Sequence, residues 1–271
     1  MQKKESSINY SLLLRQMIHV LPVTPSRKRK KNFRAIYKVN WGDLKALQVT
    51  ARETLNTFDL LTLLSLTKAI IESELKDGGV WKDPDGEERN MYVFDVGTRR
   101  FVERYRGLRW GSRNYEAVKQ SFERLTDCTW TYCYIDGLSR VKILLDFQER
   151  GGKWAFWVSK NFADAAKKRE DFLKVNMSYI RSCKTDLGKL LLVWLQGQKN
   201  TACQEELISQ ALHLSCTQKK KTRYELKTAF ANAVACGYLR DFTLVKRNSH
   251  YQFCWTHSTR NLANRHSKQG A

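Results

Sequence analysis

Acidic residues are scarce in this chain. Asp and Glu number 27 against 48 Lys and Arg in 271 residues, leaving a net charge of +21. A balance that far from zero implies a polyanionic partner, either nucleic acid or an anionic membrane surface. Long apolar runs are missing too. The longest, residues 60–66, is interrupted by Thr62 and Ser65 and falls far short of a bilayer span. No cleavable signal sequence is evident, so the expectation is a cytoplasmic protein with no membrane partner. The seven cysteines contain no CxxC pair; free thiols in a reducing compartment are expected rather than disulfides or zinc. The five histidines, His19, His213, His250, His257 and His266, form no His-hydrophobic-His motif, which removes the metal site of a rolling-circle nuclease. No stretch matches the GxxxxGKS or GxxxxGKT loop of a nucleotide-driven motor; Gly151-Gly152-Lys153 reads as a hairpin turn. Asp83 and Asp85 belong to a Pro-Gly turn rather than a metal site. No enzymatic activity, cofactor or metal is expected.

Apolar residues, at 42%, and eight tryptophans suffice for a packed core, so the charge decorates a folded protein. The most informative stretch is residues 203–256. Residues 204–212 place Leu207, Ile208, Ala211 and Leu212 at helical spacing, and residues 213–216 break it. From about Thr217 the period resumes and holds to Cys236, with Leu226, Ala229, Phe230, Ala233 and Val234 on one face. Gly237 follows, where a helix commonly ends. Residues 238–245 and 251–255 alternate as strands around the basic tip Lys246-Arg247-Asn248-Ser249. Helix, turn, helix and hairpin predict a winged helix-turn-helix. On its second helix Lys220, Lys221, Tyr224, Lys227 and Thr228 lie opposite the apolar face, with Lys219 and Arg223 nearer its edges.

Each positive charge at a helix N-terminus opposes the macrodipole by about 0.3–1 kcal/mol, and phosphate is the natural counterion. In a helix-turn-helix this part of the second helix enters the major groove. The bland alternative is a solvated, lysine-rich surface. The tip weighs against it, because Lys246 and Arg247 offer phosphate contacts on the same side. Arg223, Lys220, Lys227, Tyr224 and Thr228, in that order, are the expected base-edge contacts.

Upstream, residues 1–32 read as a basic, partly flexible arm. Its apolar cluster at residues 6–21 is expected to form a short helix packed on the first domain, with a partner-docking peptide as the alternative. Residues 33–160 read as a first winged-helix domain. It has a strand at 33–40, a helix within 50–76 that is apolar nearly all round, strands at 80–81 and 91–94, and helices at 97–105 and 114–125. Strands follow at 129–135, 141–147 and 153–158, the first two joined at Asp136-Gly137. The outward face of the 114–125 helix carries Arg113, Glu116, Gln120, Glu123 and Arg124, mixed in sign. This domain is therefore expected to supply protein–protein contact and backbone contact through Arg99, Arg100, Arg104, Arg106, Arg109 and Arg113. Residues 161–258 form a second winged-helix domain, entered through a helical joint at 161–174, and residues 259–271 are a basic tail expected to be disordered. The fold class is α+β, two tandem winged helices behind a basic arm.

This arrangement resembles the plasmid replication initiators, the Rep proteins that bind repeated origin sequences called iterons, and among them the TrfA-like initiators. The matching pieces are AIYKVNWGDLKALQVTARE before the long first helix, RNYEAVKQSFERLTDCTW before a hairpin, and FLKVNMSYIRSCKTDLGKLLLVWL opening the second domain. The resemblance implies that the second winged helix reads bases, while the first contacts backbone and serves in dimerisation. It further implies melting of an adjacent AT-rich region and recruitment of a host initiator and helicase in a bacterial cytoplasm. A sliding-clamp peptide near the N-terminus is also implied, but residues 9–13 lack its leading Gln and closing Phe. The partners are then double-stranded origin repeats, host replication proteins and a second copy of the chain. A winged-helix transcriptional repressor acting by operator occupancy is the alternative.

Overall fold

The computed structural model describes residues 10–14, 21, 23–25, 31–41, 43–82, 86–169, 172–214, 218–247 and 249–258. The basic run at 26–30, the aspartates at 83–85, Asn248 of the tip and the tail at 259–271 lie outside the described residues, as does the expected clamp peptide's Asn9.

The first unit opens on β2 (Lys31–Trp41) and β3 (Leu44–Glu53), followed by α1 (Thr57–Glu72). A capping box starts α1. The Asn56 side chain accepts from the Phe58 and Asp59 amides, and Asp59 Oδ2 accepts from Asn56 N at 2.9 Å. Residues on every side of α1 are buried, which puts it at the centre of the unit. The hairpin β4 (Lys76–Lys82) and β5 (Glu88–Gly97) comes next. In α2 an α-helical turn, Thr98–Arg100, runs into a π-helical turn, Phe101–Tyr105. Then come α3 (Ser112–Thr126), β6 (Thr129–Tyr134), β7 (Leu138–Val141), β8 (Leu144–Arg150) and β9 (Lys153–Ser159), with α4 (Lys160–Lys168) leading out.

The second unit contains β10 (Phe172–Asn176), α5 (Met177–Ser182), α6 (Asp186–Gly197), β11 (Ala202–Gln204), α7 (Glu205–Ala211) and α8 (Lys219–Ala235). The hairpin β12 (Leu239–Arg247) and β13 (His250–His257) completes it. Its sheet has the order β11-β13-β12, and the first unit repeats that order as β5-β9-β8 with β4 on the outside. Helices α1, α2 and α3 thus stand where α6, α7 and α8 stand in the second unit. Both units are winged helices.

Three elements depart from the sequence expectation. Residues 6–21 do not supply a helix at Tyr10–Leu14, which is a strand, β1, antiparallel to β10 with Leu12 opposite Lys174. A short apolar cluster has no period that separates helix from strand, and the edge of β10 decides. Residues 44–53 are a full strand rather than a lead-in to the helix. Residues 129–135 and 141–147 do not make one hairpin: β6 pairs with β7 and β3 in a separate sheet, β2-β3-β6-β7, while β8 pairs with β9. The wing of the first unit is therefore β8–β9, turned at Gly151 and Gly152.

Aromatic clusters hold each unit. Phe101, Phe122, Trp154 and Phe156 meet largely edge to face in the first, and Phe230 stacks on Phe253 at 4.6 Å in the second. Arg181 of α5 joins the two, its Nη2 donating at 2.6 Å to the Tyr105 carbonyl, which also accepts from Ser65 Oγ at 3.1 Å. Gly107 makes this approach possible. It has φ +68°, and a Cβ there would lie 2.7 Å from Arg181 Nε. A second joint runs through the N-terminal segment, where Leu21 N donates to Ala211 O at 3.3 Å and Thr24 N to Leu55 O at 3.0 Å. The six described cysteines are all free thiols.

Candidate nucleic-acid interface

Helix α8 buries Leu226, Ala229, Phe230 and Ala233 against the second unit's core. Its close seat on α6 depends on Gly188, where a Cβ would fall 3.3 Å from Asn232 Cβ and closer still to Cys183 and Thr185. With that face inward, Lys219, Lys220, Lys221, Tyr224, Lys227 and Thr228 are exposed, and Tyr224 is 72% accessible. Thr228 Oγ1 donates to Tyr224 O at 3.0 Å, so the hydroxyl proton is used within the helix. Among the described residues no side chain caps the first turn, where three lysines crowd backbone amides. Both the amides and the ammonium groups attract an anion.

The wing lies alongside. Lys246 and Arg247 are exposed at the end of β12, with Arg247 opposite His250. Arg223 is placed differently from the other members of the expected set. It is half-buried, its Nε donating to Glu205 Oε2 at 2.6 Å and its Nη2 approaching Oε1 at 3.4 Å, with Cζ 3.4 Å from the centre of the Tyr251 ring. Glu205 and Tyr251 lie 18 residues before and 28 after it, so no local pattern reveals the contact.

The corresponding groove of the first unit is mixed in charge. Its wing presents Glu149, which accepts from Tyr115 of α3 and stands 3.8 Å from Lys119. Burial, followed by the bond to Glu149, pushes the Tyr115 phenol up to about 12. Arg99, Arg100, Arg104 and Arg113 are exposed. Arg99 pairs with Glu103 at 3.0 Å and Arg104 with Glu72 at 3.3 Å, and Arg100 lies 6.0 Å from the Tyr105 ring. Two arginines expected at the surface are not there. Arg106 is 4% exposed, its Nε donating to Thr62 Oγ1 at 3.1 Å and its guanidinium 4.3 Å from the Phe58 ring. Burial first, then the Arg181 charge, lowers its pKa to about 9. Arg124 turns inward to Asp59 Oδ1 at 2.9 Å, because a fully buried carboxylate requires a cation. Sequence reading also missed Arg34, Lys38 and Arg52, exposed on the outer face of β2–β3. Arg34 and Lys38 alternate along the strand expected at 33–40, and Arg52 along β3, which went unrecognised as a strand.

Among the described residues no group of His, Cys, Asp or Glu is arranged to hold a metal ion, and no helix is long and apolar enough to cross a membrane. No protein-family model matches the chain, and no curated protein matches it in sequence. Solved structures do. Domains 2 and 3 of RctB superpose at TM-score 0.60 with 10% identity, over 90% of this chain and 99% of that one. A second RctB domains 2-3 structure, spanning its residues 155–483, gives 0.55 and 10%, over 89% and 96%. The Pi initiator protein in complex with iteron DNA gives 0.53 and 9%, over 94% and 99%. The chain thus has the tandem winged-helix fold of RctB domains 2–3 and the Pi initiator.

Proposed function

We infer that this protein is a replication initiator of the plasmid Rep kind. It binds repeated double-stranded origin sequences, promotes melting of an adjacent AT-rich region and helps recruit host replication proteins in a bacterial cytoplasm. The observation that carries this reading is the exposed cationic face of α8 beside its wing, on a chain sharing its fold over 94% of its length with a protein crystallised on iteron DNA. Lys219, Lys220, Lys221, Tyr224, Lys227 and Thr228 meet the major groove, with Arg223 at their edge, and Lys246 and Arg247 lie against phosphates. Arg99, Arg100, Arg104 and Arg113 add backbone contacts from the first unit. That unit also holds two copies together, a role favoured by Ile36 and Leu138, exposed on the outer face of the β2-β3-β6-β7 sheet. Ile36→Arg should sediment as a monomer where the wild type forms a dimer. No bond is made or broken in this activity; energy from several occupied sites bends and opens the neighbouring duplex.

Sequencing duplexes that the protein enriches from a randomised pool tests the reading. Tandem repeats, with permanganate-reactive thymines beside them in supercoiled DNA, are the expected result. A lone palindrome without reactive thymines would assign the chain to operator occupancy instead. Supercoiled DNA incubated with magnesium should stay unnicked.

A further inference from the structure

Arg223 stands where three parts of the second unit meet: α7 through Glu205, α8 itself, and β13 through Tyr251. Glu205 is 5% exposed, and a carboxylate withdrawn from water needs its counter-charge in place. A guanidinium bonded to that carboxylate and stacked on a ring already has its fork and one face engaged. Offering it to a guanine would leave Glu205 uncompensated. The next residue of α7 reaches the wing as well, with Glu206 Oε1 3.7 Å from His250 Nδ1. Of the two first-turn carboxylates of α7, Glu205 thus holds α8 and Glu206 the hairpin, whereas Lys220 and Lys227, about one turn to either side of Arg223 on α8, are exposed to solvent.

We propose that Arg223 is a positioning residue. Through Glu205 and Tyr251 it sets the angle between α8 and the wing, so that the lysines of the helix and the Lys246–Arg247 pair address one duplex together. The inference rests on α8 being the groove-entering helix. It replaces the sequence expectation that Arg223 reads a base.

Binding by variants of the full chain decides it, using a duplex that the wild-type protein has itself enriched from a randomised pool, with folding checked by circular dichroism. Arg223→Ala and Glu205→Gln should each weaken binding about tenfold, and the double variant should be no weaker than either single one, because both break one device. Both single variants should lower the slope of log K against log salt concentration equally, since each releases Lys246 and Arg247 from their phosphates. Tyr251→Phe, which keeps the ring, should bind like the wild type. The inference is overturned if Glu205→Gln binds as well as the wild type or better, while Arg223→Ala lowers the slope by about one or relaxes preference at one base pair. Should Arg223→Ala fail to fold, Glu205→Gln and Arg223→Lys give the same two readouts. A wild-type chain that enriches no duplex removes the DNA reading and this inference with it; an unaffected Glu205→Gln beside a binding wild type removes the inference alone.

Discussion

Asp59 has no access to water, and its Oδ1 receives Ser121 Oγ at 2.7 Å together with two nitrogens of Arg124 at 2.9 and 3.0 Å. Its other oxygen belongs to the α1 capping box. Removing one partner of a buried ion pair costs about 3–5 kcal/mol, so Asp59→Ala should lower the unfolding free energy extrapolated from urea titration by that much. His213 is a second residue whose charge matters. Its Nε2 is bonded to the Leu21 carbonyl and its ring lies 4.2 Å from that of Tyr37. Burial lowers its pKa below the ordinary 6.5, and the bond to Leu21 opposes that shift. The unfolded chain therefore takes up this proton first as pH falls. The contribution to stability is full above about pH 6.5 and is lost as pH drops through that value toward the lower folded one. Between about pH 7.5 and pH 5, Tm should fall further in the wild type than in His213→Asn.

At the scale of elements, α8 is a helix whose start is poor by ordinary rules, with no side-chain cap at Gln218 and three lysines in its first turn. Gln218→Asp supplies an acceptor for the first-turn amides, stabilising the helix by about 1 kcal/mol. The same carboxylate would repel phosphate. Melting should rise and affinity for the enriched duplex should fall, a trade visible by calorimetry and titration of one protein. The elements that sequence disclosed were those with an uninterrupted period. Helix α8 showed through its apolar residues, and β12–β13 through alternation around a basic tip. Others were hidden for physical reasons. Residues 44–72 contain no Gly or Pro, so the passage from β3 to α1 is fixed by the Asn56–Asp59 box and by Thr24 on Leu55, contacts invisible to periodicity. Arg124 and Arg106 read as surface cations, because nothing local shows that Asp59 and Thr62 wait for them inside. The outer face of α8 was legible, whereas the Arg223–Glu205–Tyr251 contact depends on the tertiary fold.

Across the whole molecule the excess of 21 positive charges sits on two units whose grooves differ in charge, mixed in the first and cationic in the second. Glu149 occupies the first, and lysines line the second. Association should therefore be dominated by the second unit and governed by salt. If six to ten phosphates are engaged, K should fall by about 10³–10⁵ between 50 and 200 mM salt. Substituting Lys220 and Lys227 should flatten that dependence more than substituting Arg99 and Arg104, which are paired with Glu103 and Glu72. Titrations at several salt concentrations would measure both.

The pairing of β1 with β10 joins segments about 160 residues apart in the chain. At roughly 5–20 residues per second of synthesis, Tyr10–Leu14 leaves the ribosome some 10–30 s before its mate exists. The first winged helix can condense in that interval with its leading strand still unclaimed. Zipping that strand onto β10 must then wait until residues 172–176 emerge, and a nascent chain halted before residue 172 would carry an open strand able to pair with a neighbour on the same polysome.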